Sequence, residues 1–166
     1  MNYKILPLHE KYYPAMLAVF NHYVENSFAA YPENKAGLDV FSKLLASLGD
    51  YPSGVIMCGE DVAGFAFLRP YSPLSVFRKT AEITCFLAVG HTGKGAGALA
   101  LSFLEGEAAL RGITRILAGI SGFNDGSMRF HGRHGFVECG RFRGIGLKFG
   151  REFDVVWMEK FLDSRA

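Results

Sequence analysis

The residues whose types and spacing best suit chemistry are the run Thr92-Gly93-Lys94-Gly95-Ala96-Gly97, which follows an apolar stretch and opens a helical one. Strand, glycine-rich loop, helix is a general anion site. Glycine lets the backbone close on a ligand, and the unpaired N–H groups of a helix start, backed by the helix dipole, attract phosphate oxygens. A turn that merely uses glycine is the plainer alternative. Two nucleotide signatures fail on spacing. A triphosphate loop, G-x-x-x-x-G-K-[ST], needs glycine where Ala88 stands and a hydroxyl where Gly95 stands. A dinucleotide loop, G-x-G-x-x-G, needs glycine at Ala98 and an early βαβ unit, and here a hairpin precedes the loop.

Metal chemistry has little to stand on. His131 and His134 lie three apart, but no further ligands are spaced to join them. Cys58, Cys85 and Cys139 form no C-x-x-C, so neither zinc nor a redox pair is expected. Cys58 and Cys85 sit in apolar runs and read as small core hydrophobes.

Composition bounds the rest. The 166 residues suit one domain, 1–166, and 49% hydrophobic against 20% charged residues is a globular balance. A net charge of +2 with no basic block excludes a nucleic-acid face, and the tail Lys160–Ala166 carries mixed charge. No apolar run is long enough to span a bilayer, and the first residues lack a signal-like apolar core, so a cytoplasmic protein is expected.

Hydrophobic period gives the elements that must carry the loop. Tyr3–Leu8 reads as a strand. A helix opens near Pro14 and runs to Asn26, and a second carries Leu38, Phe41, Leu45 and Leu48 on one stripe. Gly54–Cys58 and Val62–Arg69 form a hairpin about Gly59-Glu60-Asp61, and Thr80–Val89 is a further strand. After the glycine loop a helix spans Ala96–Arg111 with Leu99, Phe103, Gly106 and Leu110 on its apolar face. Strand Ile113–Ile120, helix Asp125–His134 and two strands divided at Lys148-Phe149-Gly150 complete the chain. This is an α/β protein with a mixed central sheet flanked by helices.

Strand, [RQ]-x-x-G-x-[GA], then helix resembles the acetyl-CoA motif of the GNAT superfamily. The resemblance is closer to its phosphinothricin acetyltransferase group in Phe20-Asn21-His22-Tyr23-Val24-Glu25-Asn26-Ser27-Phe28, Thr80-Ala81-Glu82, Asn124-Asp125-Gly126-Ser127, Phe130-His131, Gly135-Phe136, Gly146, Lys148-Phe149-Gly150-Arg151 and Asp154-Val155. The order of elements matches that fold over nearly the whole chain. The resemblance implies the GNAT acyl-CoA N-acyltransferase fold, acetyl-CoA as cosubstrate without a metal, a homodimer, and transfer of acetyl to the primary amine of a small molecule, amino-acid-like or related to phosphinothricin or methionine sulfoximine.

The same resemblance implies roles. Amide formation from a thioester needs a neutral amine, hence a base; the family's lies at Glu82, and a carboxylate is ionised near neutral pH. A surface carboxylate is the plainer reading of that residue alone. The family uses a splayed strand whose backbone N–H groups receive pantetheine and acetyl, here at Cys85, Phe86 and Leu87. Thr92, Gly93, Lys94, Gly95, Ala96 and Gly97 would hold the pyrophosphate, and Asn124 with Ser127 the cofactor's amides, or Asn124 caps a helix. His131 stands where many members carry a tyrosine that protonates the thiolate; a packing histidine is the alternative. Phe28, Arg69 and Arg78 are candidates for the acceptor side.

The chain departs from the pattern where Thr92 replaces Arg or Gln, where Leu74 and Phe77 replace arginine and tyrosine, and at Leu147 and Glu152. Losing a bidentate arginine weakens a carboxylate clamp, and the added Phe and Leu suit a more apolar acceptor. Two rivals follow: a peptide or protein amine as acceptor, and a CoA-binding sensor without turnover.

Overall fold

The computed structural model describes residues 1–162, so the last four residues of the expected domain and tail lie outside the described residues. The elements run β1 (Tyr3–Leu6), α1 (Tyr13–Asn26), α2 (Leu38–Ala46), β2 (Ser53–Cys58), β3 (Asp61–Pro70), β4 (Thr80–Leu87), α3 (Ala96–Leu110), β5 (Arg115–Ser121), α4 (Asp125–Arg133), β6 (Val137–Lys148) and β7 (Arg151–Phe161). This is the order that hydrophobic period predicts, with ends moved by local chemistry. Pro7 has no N–H for a neighbouring strand, and β1 stops at Leu6 rather than Leu8.

Two apolar stripes differ from expectation. In α3 the structure buries Ala96, Ala100, Leu101, Leu104 and Ala108 and leaves Leu99 and Leu110 exposed. The helix is apolar nearly all round, so period alone leaves several faces open. The alanine-rich face prevails because small side chains let the helix lie close on the sheet. In α2, Leu38 is exposed while Phe41, Leu45 and the following Leu48 are buried.

The strands form one sheet in the order β1-β2-β3-β4-β5-β7-β6. Helices α1 and α2 cover one face over Met16, Phe41, Leu45 and Phe65; α3 covers the other over Leu104, Ile116 and Val156, with Met128 and Phe130 of α4 packed against the same cluster. Among the described residues no helix is long and apolar enough to cross a membrane.

One joint in this sheet is incomplete. β4 and β5 run parallel for three residue pairs only, Thr80↔Arg115, Ala81↔Ile116 and Glu82↔Leu117. Beyond them β4 stays paired with β3 as far as Leu87, and β5 stays paired with β7 as far as Ser121. The two strands therefore diverge after Glu82, and one edge of β4 is left without a strand partner among the described residues.

Candidate active site

The divergence exposes backbone groups in a set order. Antiparallel pairs alternate between those that exchange hydrogen bonds and those that do not. Ala88 N–H donates to Ala63 O at 2.8 Å, which makes the pair Phe65↔Phe86 an exchanging one by the same register. The Phe86 amide therefore faces β3, while those of Cys85 and Leu87 face the gap. The strand opens without a register shift between β3 and β4. Burial pushes the Cys85 thiol up to about 12, so it stays protonated near neutral pH and is no nucleophile.

A cleft of about 620 Å³ fills the gap on the α3 and α4 side, walled by β4, β5, the glycine loop and α4. At its end Gly93 (φ 71°) and Gly95 (φ 92°) adopt left-handed backbone, with nothing within 4 Å of where a Cβ would lie. Among the described residues no side chain caps α3 at Gly95, which leaves the first N–H groups of a 15-residue helix to a ligand. Thr92, Gly93, Gly95 and Gly97 line the cleft. Ala96 is turned into the core, and Lys94 is exposed beside the loop rather than on the cleft wall. This cradle suits a diphosphate, and the cleft beyond it suits an extended amide-bearing arm.

Glu82 points to the opposite face of the sheet. There a second cavity of about 300 Å³ holds Glu82 and Arg69 at one end and aromatic side chains around them. The two cavities share Ala29, Ile83, Phe86 and Gly119, so they meet through the β4–β5 gap. Arg69 donates from Nε at 2.9 Å and Nη2 at 2.6 Å to the same oxygen, Glu82 Oε2. The pair register Arg69↔Glu82 brings the two together. With Arg69 half exposed, such a pair contributes about 0–1 kcal/mol and yields readily to a ligand. Arg78 is drawn away, donating to Ser75 O at 3.1 Å beyond a 3-10 turn, and lines neither cavity. Phe28 joins Phe123, Phe149 and Phe153 in an aromatic cluster beside the cavities and is on the wall of neither.

Asn124 caps α4, its Oδ1 accepting from Ser127 N–H at 3.1 Å, which leaves its Nδ2 donors for the cleft that it lines. His131 is buried on that helix. Its Nδ1 lies 2.9 Å from Ser127 O, and a carbonyl only accepts, so the proton sits on Nδ1. Nε2 is then a bare lone pair, buried and without a partner among the described residues. Desolvation holds this imidazole below its ordinary value, with the Ser127 carbonyl opposing and His134 adding to the shift. In the resting site His131 is a neutral acceptor rather than an acid. The unfolded chain takes up this proton first as pH falls, so stability rises with pH across the window below the ordinary value of 6.5. A His131→Asn variant is expected to flatten that part of a Tm-against-pH curve; an unchanged slope would place the titration elsewhere.

Two residues of the site were not legible as such. Tyr23, on α1, lines the cleft and donates its hydroxyl to Leu87 O at 2.7 Å, a carbonyl facing the gap. Lys148 is 1% exposed and donates to Ser27 O at 2.8 Å and Ala30 O at 2.6 Å. Desolvation lowers its pKa, with Glu33 opposing. Its ammonium ties the end of β6 to the loop after α1, whose Ala29 borders both cavities. Lys148→Met strands two carbonyls at about 1–3 kcal/mol and relieves a buried charge, for a net fall in Tm of roughly 3–10 °C. An unchanged Tm would show that the tie does not hold the loop.

Comparisons with known proteins bear on the family and the fold. The model of the Acetyltransferase (GNAT) family matches residues 12–136. The chain is 36% identical to a phosphinothricin N-acetyltransferase of Streptomyces coelicolor over 61% of its own length and 59% of that protein's, so the match spans about three fifths of that relative. It is 31% identical to an L-methionine sulfoximine/L-methionine sulfone acetyltransferase of Salmonella typhimurium over 92% and 90% of the two chains. An acetyltransferase from Salmonella typhimurium, solved with its cofactor acetyl-CoA, superposes with a TM-score of 0.90 at 30% identity over 100% of this chain and 97% of that one. A Brucella melitensis structure described as a ribosomal-protein-alanine N-acetyltransferase gives 0.91 at 33% identity, over 96% and 99%.

Proposed function

The chain belongs to the acetyltransferase (GNAT) family, and from that premise we propose that it moves acetyl from acetyl-CoA to the primary amine of an amino-acid-like small molecule. The observation that carries this reading is the meeting of two cavities through the β4–β5 gap, one ending on a diphosphate cradle and the other holding a carboxylate. Gly93, Gly95, Gly97 and the start of α3 hold the pyrophosphate. The gap-facing N–H groups of Cys85 and Leu87 and the Nδ2 of Asn124 hold the arm and orient the carbonyl. Bound acetyl-CoA supplies an acetyl carbon activated as a thioester, which the amine nitrogen takes as the C–S bond breaks and CoA leaves as a thiolate.

Glu82 takes the amine's proton on Oε1, while Arg69 holds Oε2 and fixes the carboxylate's direction. His131 positions α4 through Ser127 and offers a lone pair, not a proton, to the cleft. The thiolate is then protonated by solvent at the open cleft. The protonated Cys85 favours direct attack over an acyl-cysteine route. The name of the Salmonella relative, matched over nine tenths of both chains, supports an amino-acid-like acceptor. The Brucella neighbour's name favours a second reading, a protein amine; a 300 Å³ pocket walled by the loop at Tyr31 and Pro32 favours the small molecule.

The test is thiol release with acetyl-CoA over a panel of free amino acids and alanine-initiated peptides. Turnover of free amino acids supports the proposal; turnover of peptides alone moves it to the second reading. Absence of any thermal shift with acetyl-CoA or CoA removes the cosubstrate. We further infer a cytoplasmic homodimer. Supporting the dimer is β6, a 12-residue edge strand that exposes Phe142, Ile145 and Leu147, as an edge meant for burial does. Light scattering is expected to give twice the chain mass, and Ile145→Glu to halve it; a monomeric wild type removes the dimer.

A further inference from the structure

We propose that the acceptor is an aromatic α-amino acid, read at its charged head by the free edge of Arg69 beside Glu82 and at its side chain by the aromatic wall of the second cavity. This rests on the acetyl-transfer reading and narrows its substrate.

The head is argued from the ion pair. Arg69 spends its Nε–Nη2 edge on Glu82 Oε2. Among the described residues nothing accepts from Nη1, and its edge with the second N–H of Nη2 has the fork spacing that a carboxylate takes bidentately. Glu82 Oε1 is likewise without a partner among the described residues. The pair thus presents a cation and an anion side by side at the cavity's end. An α-amino acid carries its carboxylate and its amine on one carbon, with the opposite order of charge. Its carboxylate meets Arg69 as its amine meets Oε1, which is also where the amine must lose a proton. A simple alkylamine satisfies only half of this arrangement.

The side chain is argued from the rest of the cavity. Arg69 and Glu82 are the charged groups that line it, and the head uses both. What remains is mostly aromatic: Phe20, Phe41, Phe67 and Phe86, closed by Trp157 and Tyr31, with Thr84 as the one aliphatic hydroxyl. A polar side chain among these rings loses most of its water and gains few partners in return. A ring gains apolar burial and edge-to-face contacts with rings already set at such angles, as Phe20 and Phe86 are at 85° with centroids 5.3 Å apart. At about 300 Å³ the cavity is at the small end of ligand pockets and suits a single ring-bearing side chain.

Thiol release at saturating acetyl-CoA, with calorimetric titration of the same amines onto CoA-loaded protein, tests this. The probes are L-phenylalanine, L-tryptophan, 2-phenylethylamine, tryptamine, L-alanine and L-methionine sulfoximine. Each aromatic amino acid is expected to exceed its decarboxylated partner and L-methionine sulfoximine by roughly tenfold or more in kcat/KM. Arg69→Gln is expected to lower kcat for every amine, since Arg69 also orients Glu82, and on top of that to raise the KM of L-phenylalanine about tenfold more than that of 2-phenylethylamine, since only the former spans the free edge. Leu44→Trp, which fills the cavity from the exposed side of α2, is expected to depress L-phenylalanine relative to L-alanine. Equal turnover of L-phenylalanine and 2-phenylethylamine overturns the Arg69 assignment. Preference for L-methionine sulfoximine or L-alanine overturns the aromatic class and leaves acetyl transfer standing. No turnover and no calorimetric signal with any amine overturns the acetyl-transfer reading itself.

Discussion

Replacing Glu82 by glutamine is expected to lower kcat/KM for the amine by roughly 10²- to 10⁴-fold near neutral pH, the usual range for a general base. Glutamine keeps the shape of the carboxylate and still accepts from Arg69, so the geometry of the joint survives. It cannot take a proton. The interaction removed is a partly exposed ion pair of about 0–1 kcal/mol, so Tm should move by no more than a few degrees. The affinity for acetyl-CoA, measured by calorimetry, should be unchanged, because the cleft and the carboxylate lie on opposite faces of the sheet. A variant within a few-fold of wild-type kcat/KM would falsify the role of Glu82. A loss shared equally by cosubstrate affinity would make the residue structural.

Gly119→Val is the second large effect. Gly119 lies on β5 across the gap from β4 and borders both cavities. A Cβ there would meet the Trp157 ring at 3.3–3.5 Å, its nearest atom slightly tighter than ordinary contact. The two further methyls of valine crowd that ring, which lines the second cavity. The expected result is a roughly 10- to 100-fold fall in kcat/KM carried by the KM of the amine, with overpacking of about 1–3 kcal/mol read as a lower Tm. Acetyl-CoA affinity should stay within about threefold, since the new methyls point away from the cleft. If cosubstrate affinity falls as far as amine affinity, the two cavities are not separable at this residue.

The parts of this site that are local in sequence were legible there. The glycine loop announces itself because Gly93 and Gly95 must adopt left-handed backbone next to a helix start, and both signals lie within six residues. The element order follows from periods of two and 3.6. What the residues alone left open was set by partners distant in the chain. The divergence of β4 from β5, expected only through the family resemblance, depends on β5 following β7 instead, far along the chain, and no single segment encodes it. Arg69 and Arg78 look alike as candidates; only the β3–β4 register gives Arg69 to Glu82, and a 3-10 turn takes Arg78 away. Lysine is ordinarily a surface residue, so the burial of Lys148 could not be read from its type. His131 has the composition of an acid, but burial holds its imidazole below the ordinary value, and the carbonyl 2.9 Å away draws the remaining proton to Nδ1.

The loop from Ser27 to Pro32 takes part in two tasks at once. Ala29, Tyr31 and Pro32 wall the acceptor cavity. The same few residues brace the sheet across its incomplete joint, through Lys148 to Ser27 and Ala30 and through the Tyr31 hydroxyl to Gly119 O at 3.4 Å. A lineage that drifts toward a new acceptor by altering this loop therefore also loosens the brace. Its evolutionary freedom is set by how much stability the rest of the fold holds in reserve, and compensating substitutions should appear in the β6–β7 hairpin before the preference for acceptor shifts.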